Sequence, residues 1–145
     1  MHLELRTNST EDKLMTINSR VASEIAKKYA EAWSSHNPTA VAAFFAENGR
    51  ISVNGQVSLG RGEIANMAQG FFEQIPDIVI HADAVRSAGT HMIVLWTFEG
   101  TNSGPDGNGN KVKVSGWEYW LLKDSNLVEE SLGHFDDDDY QRQLG

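Results

Sequence analysis

A chain of 145 residues, 40% of them apolar and 22% charged, has the length for one domain and the makeup of an ordinary globular protein. Its formal net charge of −8 argues against a nucleic-acid partner, since Lys and Arg cluster only at Lys27-Lys28 and Lys111–Lys113, and no apolar run is long enough to span a bilayer. The absence of cysteine excludes disulfides, thiolate metal sites and a cysteine nucleophile, and together with an N-terminus lacking a basic-then-apolar leader it fits a cytoplasmic protein.

Residues 1–18 are polar and aperiodic and read as a flexible arm, leaving 19–145 as the folded domain. A first helix is predicted from Ser19, because Val21, Ile25, Tyr29 and Trp33 recur every four residues and share one face. His36-Asn37-Pro38 ends it and starts a second helix, with Asn37 as cap and Pro38 at a first position that needs no N–H. That helix is expected to bury Val41, Phe44 and Phe45 and to close at Gly49. A strand at 50–53 meets an Asn54-Gly55 turn signal. A third helix over about 62–74 would bury Ile64, Met67, Phe71 and Phe72.

From Pro76 the pattern changes to strands at 78–86, 90–101, 111–123 and 126–135, rich in β-branched and aromatic residues and separated by turn chemistry. A last short helix is expected over 136–144, its acidic first turn complementing the helix dipole. Helices followed by a strand meander define an α+β fold with helices on one face of a curved, mostly antiparallel sheet.

The residues Tyr29-Ala-Glu-Ala-Trp33, Ala43-Phe-Phe-Ala-Glu-Asn48, Gly60-Arg-Gly-Glu-Ile64, Phe135-Asp136 and Gln143-Leu144-Gly145 stand in an order and spacing that resembles the nuclear transport factor 2-like superfamily. Within it the resemblance is to the SnoaL-like polyketide cyclase and ketosteroid isomerase branches, over residues 19–145. It implies a cone-shaped roll, three N-terminal helices packed on the sheet around one apolar pocket, and a homodimer through the outer sheet face. It also implies Tyr29 at the oxyanion-binding tyrosine of ketosteroid isomerase, Val53 at its general-base aspartate and Tyr119 at its second oxyanion donor, a protonated aspartate. Valine moves no proton, so the family's isomerase mechanism is not expected. Leu132-Gly133 stands where SnoaL-like members often carry Trp-Asp, a second departure.

On this comparison Trp33, Val53, Met92, Val94, Trp96, Phe98, Trp117 and Leu132 line the pocket, and Glu130 and His134 point into it, while Glu118 and Trp120 face outwards. Either Glu130, desolvated among aromatic rings, or His134 is the expected proton carrier, with Tyr29 and Tyr119 as donors. Four residues of extended strand, roughly 13 Å at about 3.3 Å per residue, prevent those two from forming a dyad. His81, Asp83 and His91 lack metal-site spacing, Asp136–Asp139 lacks the glycine and glutamate of a calcium loop, and Gly104–Gly109 lacks a phosphate loop's Lys-Ser/Thr pair. The expected activity is therefore a cofactor-independent, metal-free isomerase, cyclase or hydrolase acting on a small apolar carbonyl-bearing or polycyclic ligand. The alternatives are a non-catalytic ligand binder and a dimerisation module with a filled pocket.

Overall fold

The computed structural model describes residues 17–123 and 126–145. In chain order it comprises α1 (Ser19–Ser34), α2 (Pro38–Ala42), β1 (Phe45–Val53), β2 (Gln56–Leu59), α3 (Gly60–Gln74), β3 (Val79–Ala88), β4 (His91–Thr101), β5 (Lys111–Lys123), β6 (Leu127–Phe135) and α4 (Asp137–Leu144). The six strands form one curved, unclosed sheet in the order β2-β1-β6-β5-β4-β3. All neighbours are antiparallel except β1 and β6, so the sheet is mixed. The last strand thus lies between the first and the fifth.

Local chemistry sets most element ends. The Asn18 side chain accepts a hydrogen bond from Val21 N at 2.9 Å and starts α1, and Asn37 does the same for Ala40 N at 3.2 Å in α2. Asp136 caps α4 through Asp139 N at 3.1 Å, ahead of three acidic residues in the first turn. Asn54 and Gly55 both have positive φ, 50° and 86°, the backbone of a tight two-residue hairpin between β1 and β2.

Two expectations are corrected here. The helix expected to run to Gly49 stops at Ala42, and β1 already begins at Phe45, which pairs with Val128 of β6. Gly49 is required inside that strand, because a Cβ there would lie 2.8 Å from Val128 O. Among the described residues α1, α2 and α3 precede β3 and α4 ends the chain, with the β1–β2 hairpin between α2 and α3. Of the arm expected over 1–18, residues 1–16 lie outside the described residues, while Ile17 is buried and its N–H bonds Gly89 O at 3.0 Å.

The core lies between the helices and one face of the sheet. On α1 it is reached mainly through Ala22, Ala26, Tyr29, Ala30 and Trp33, with Val21 and Ile25 at the margin. The alanines let the helix backbone come close to the sheet, and the two aromatic residues fill the depth beyond them. Tyr140 of α4 closes one end, its ring 5.6 Å from both Phe98 and Phe135 and 6.5 Å from Phe71. Truncating this buried ring removes contacts to three aromatic neighbours, so Tyr140→Ala is expected to lower unfolding free energy by about 3 kcal/mol or more in urea titration.

Candidate functional site

A cavity of about 50 Å³ opens between α1, α3 and the inner face of the sheet. Space of this kind admits one water per roughly 10–15 Å³, so the cavity suits a few waters or a small organic molecule. Its lining is aromatic and aliphatic, from Tyr29 and Trp33 through Ile51, Val53, Met67 and Phe71 to Val94, Trp96, Phe98 and Phe135. Only Tyr29 and Glu118 among its lining residues are ionisable.

Glu118 is the feature that sequence reading placed on the wrong side. It is 8% exposed, and Trp120 next to it on the same face is fully buried. Its Oε1 accepts three hydrogen bonds: from Trp120 Nε1 at 2.9 Å, Ser131 Oγ at 2.9 Å and Tyr29 OH at 3.3 Å. Among the described residues no hydrogen bond reaches Oε2. The donors come from β5, β6 and α1, so the carboxyl ties the two central strands to the first helix.

Two glycines make this inner face possible. Gly133 lies across from Glu118 in the β5–β6 register, and a Cβ there would stand 3.2 Å from the glutamate's Cγ. Gly116 lies across from Trp96, and a Cβ there would press to 2.6–2.7 Å of the indole ring. The space that a side chain at Gly133 would take is used by the glutamate.

Electrostatics follow from this burial. Desolvation raises the Glu118 pKa above the ordinary carboxylate value, and the bonds from Trp120, Ser131 and Tyr29 pull the other way. Each such bond to a charged group is worth about 1.5–3 kcal/mol, whereas burying the charge costs several, and the net direction shows that desolvation prevails. Tyr29 is pushed well above its usual value, first by burial and then by the neighbouring Glu118 charge, so its hydroxyl stays protonated and donates.

The remaining predicted residues divide by face. Trp33, Val53, Val94, Trp96 and Phe98 border the cavity with Tyr29, and Met92 is buried on the same sheet face. Trp117, Tyr119 and Leu132 are turned the other way, 37%, 39% and 41% exposed. Glu130 forms an exposed ion pair with Arg50 at 3.5 Å, and His134 borders an open groove with Trp117 and Asp136–Asp138. Neither Glu130 nor His134 reaches the cavity, and the expectation that they point inward is overturned. The reason is strand parity. On β5 the residues Val112, Val114, Glu118, Trp120 and Leu122 are buried together, which puts Trp117 and Tyr119 outside. Tyr119 and Trp117 pair with Leu132 and His134 in register, so these share the outer face. His81, Asp83 and His91 are likewise apart, engaged with Glu99, Thr97 and Tyr119 respectively.

A mixed α+β sheet with helices over an apolar cavity is the architecture of nuclear transport factor 2-like proteins, and the solved structures agree. A protein with a ketosteroid isomerase-like fold from Catenulispora acidiphila, in complex with trimethylamine, superposes with a TM-score of 0.75 at 19% identity, covering 84% of this chain and 92% of that one. A polyketide cyclase candidate from Xanthomonas campestris gives 0.70 at 18%, covering 86% and 96%. The epoxide hydrolase/cyclase-like enzyme of pyran ring formation in salinomycin gives 0.72 at 18%, covering 84% and 95%. At such identities these likenesses carry the fold alone. The SnoaL-like domain profile matches residues 26–130, and the chain belongs to that family. No curated protein matches it.

Because the folded state holds the Glu118 proton more tightly than the unfolded chain does, stability falls as pH rises from the ordinary glutamate pKa through the raised one. Glu118→Gln cannot ionise, so its urea midpoint is expected to decline less than the wild type's between about pH 5 and pH 8.

Proposed function

We propose that this protein is a cofactor-independent enzyme that moves a proton on a small, mainly apolar carbonyl compound held in the cavity. Glu118 is the proton carrier and Tyr29 the donor to the carbonyl oxygen. The observation behind this reading is the position of Glu118, a carboxyl in an apolar cavity with one oxygen fixed by three donors and the other without a hydrogen-bond partner among the described residues.

In the ionised form, Glu118 Oε2 takes a proton from the carbon next to the carbonyl. The C–H electron pair becomes the enolate C=C bond while the carbonyl π pair moves onto oxygen. Trp120 and Ser131 keep hold of Oε1 throughout. The 3.3 Å bond from Tyr29 is the longest of the three and the least costly to redirect, so its hydroxyl is available to the developing oxyanion. Returning the proton to the same carbon exchanges it, and returning it to a conjugated carbon isomerises the substrate. A raised carboxyl pKa suits both directions near neutrality. The cavity volume favours a ligand of about one ring over a polycyclic one.

A binding role without chemistry is favoured by one observation: Val53, at the family's usual base position, borders the cavity and carries no titratable group. Deuterium incorporation next to the carbonyl of cyclohexanone and acetophenone separates the two readings. Catalysis predicts enzyme-dependent exchange that Glu118→Gln lowers by about 10²-fold or more and Tyr29→Phe lowers less. Saturable binding with background exchange selects the binder, and neither binding nor exchange removes both.

The outer sheet face supports a second proposal, a homodimer. Ile93, Leu95, Trp117, Tyr119 and Leu132 form a contiguous exposed apolar surface on β4, β5 and β6. Charges of both signs border it, as at Arg50 and Glu130. A second copy related by a twofold axis would place apolar centre on apolar centre and opposite charges at the rim. Sedimentation at micromolar concentration should give a dimer that Trp117→Lys converts to monomer; a wild-type monomer would refute this.

A further inference from the structure

Trp96, which lines the cavity, carries a polar group besides the Glu118–Tyr29 pair. Trp96 Nε1 is buried and, alone among the buried side-chain nitrogen and oxygen atoms of the described residues, has no hydrogen-bond partner. A buried indole N–H can only donate, and leaving it unmet is costly, so native structures seldom do so without a ligand or water to receive it. The ring carrying this atom borders the cavity. It is also firmly placed: its six-membered edge lies over Gly116, and Phe98 and Phe135 flank it at 6.3 Å and 6.1 Å.

Trp96 and Glu118 face the same side of the sheet as diagonal neighbours, since Trp96 is opposite Gly116 and Val94 is opposite Glu118. Diagonal neighbours stand about 7–8 Å apart at the backbone, the span of a small ring with a polar atom at each end. We infer that Trp96 Nε1–H is a specificity-determining donor, and that the natural ligand is a small compound with two oxygen functions on opposite sides. One oxygen belongs to the carbonyl handled by Tyr29 and Glu118, and the other accepts from Trp96. The inference rests on the cavity being the ligand site and adds the second oxygen to the substrate class. A hydrocarbon or monofunctional ketone leaves the indole unmet and binds more weakly.

Indole ¹H–¹⁵N NMR spectra test this directly, because the four tryptophans give four separate N–H signals, and Trp96→Phe identifies the one that disappears. The probes are 1,4-cyclohexanedione, cyclohexanone and methylcyclohexane. The dione should shift the Trp96 indole proton downfield, whereas methylcyclohexane should not. The dione should also bind on the order of tenfold more tightly than cyclohexanone, the cost of an unmet buried donor, and Trp96→Phe should abolish that preference. If the dione moves the cavity-lining Trp33 signal but leaves Trp96 unmoved, the inference is wrong while the cavity reading stands. It is equally wrong if Trp96→Phe, folded by its thermal transition, keeps the wild-type preference. If no lining indole responds to any probe, the cavity reading falls and this inference with it.

Discussion

The structure depends on how a single carboxyl is buried. Glu118 has few ways to remain inside the protein, and the fold supplies one of them by directing three donors at a single oxygen. Each donor belongs to a different element. Tyr29 must come down from α1, Ser131 must face inward on β6, and Trp120 must share its strand face. Gly133 has to stay without a side chain for the glutamate to fit. Seen this way, the mixed order of the sheet has a chemical result: β6 lies beside β5, so the serine meets the carboxyl across one strand spacing.

This arrangement also accounts for the contrast between the two faces of the sheet. Inward, small residues and glycines stand among large aromatics and leave a gap in the core. Outward, the same strands present Leu95, Trp117, Tyr119 and Leu132 beside charged pairs, and His91 stacks on Tyr119 with its Nδ1 2.6 Å from the hydroxyl. Both faces are therefore aromatic. The difference is that the inner one holds a desolvated acid and the outer one does not.

The doubled aromatic character explains what the sequence made legible and what it hid. Helix starts were readable from the apolar recurrence after Ser19, the Asn37 cap and the acidic turn at Asp136, and the long strands were readable from their β-branched composition. The family was readable from spaced motifs. The facing of β5 was not, because Trp117 and Tyr119 look as core-like as Trp120. Parity along the whole strand held the answer: Lys111, Lys113, Ser115 and Lys123 share one side, and Val112, Val114, Trp120 and Leu122 the other. A glutamate on the apolar side reads as an error until its partners are known, and those lie 89 and 13 residues away. On β6 parity itself breaks, since an irregularity between Leu121 and Leu122 shifts the pairing, and Val128, Ser131 and Phe135 are buried at uneven spacing.

The central position of β6 has a consequence for how the chain reaches this state. Until β6 is available, β1–β2 and β3–β4–β5 are two separate ribbons, each with an unpaired inner edge. Joining them requires pairing Phe45 with Val128 and Ile51 with Ser131, across some eighty residues of intervening chain. Contacts of such separation demand loop closure before they return any stability, which places this fold among those that assemble slowly. During that interval the two open edges are the segments most exposed to pairing with another chain. Recovery in native form then depends on how quickly β6 is placed between the two ribbons as well as on the stability of the finished sheet.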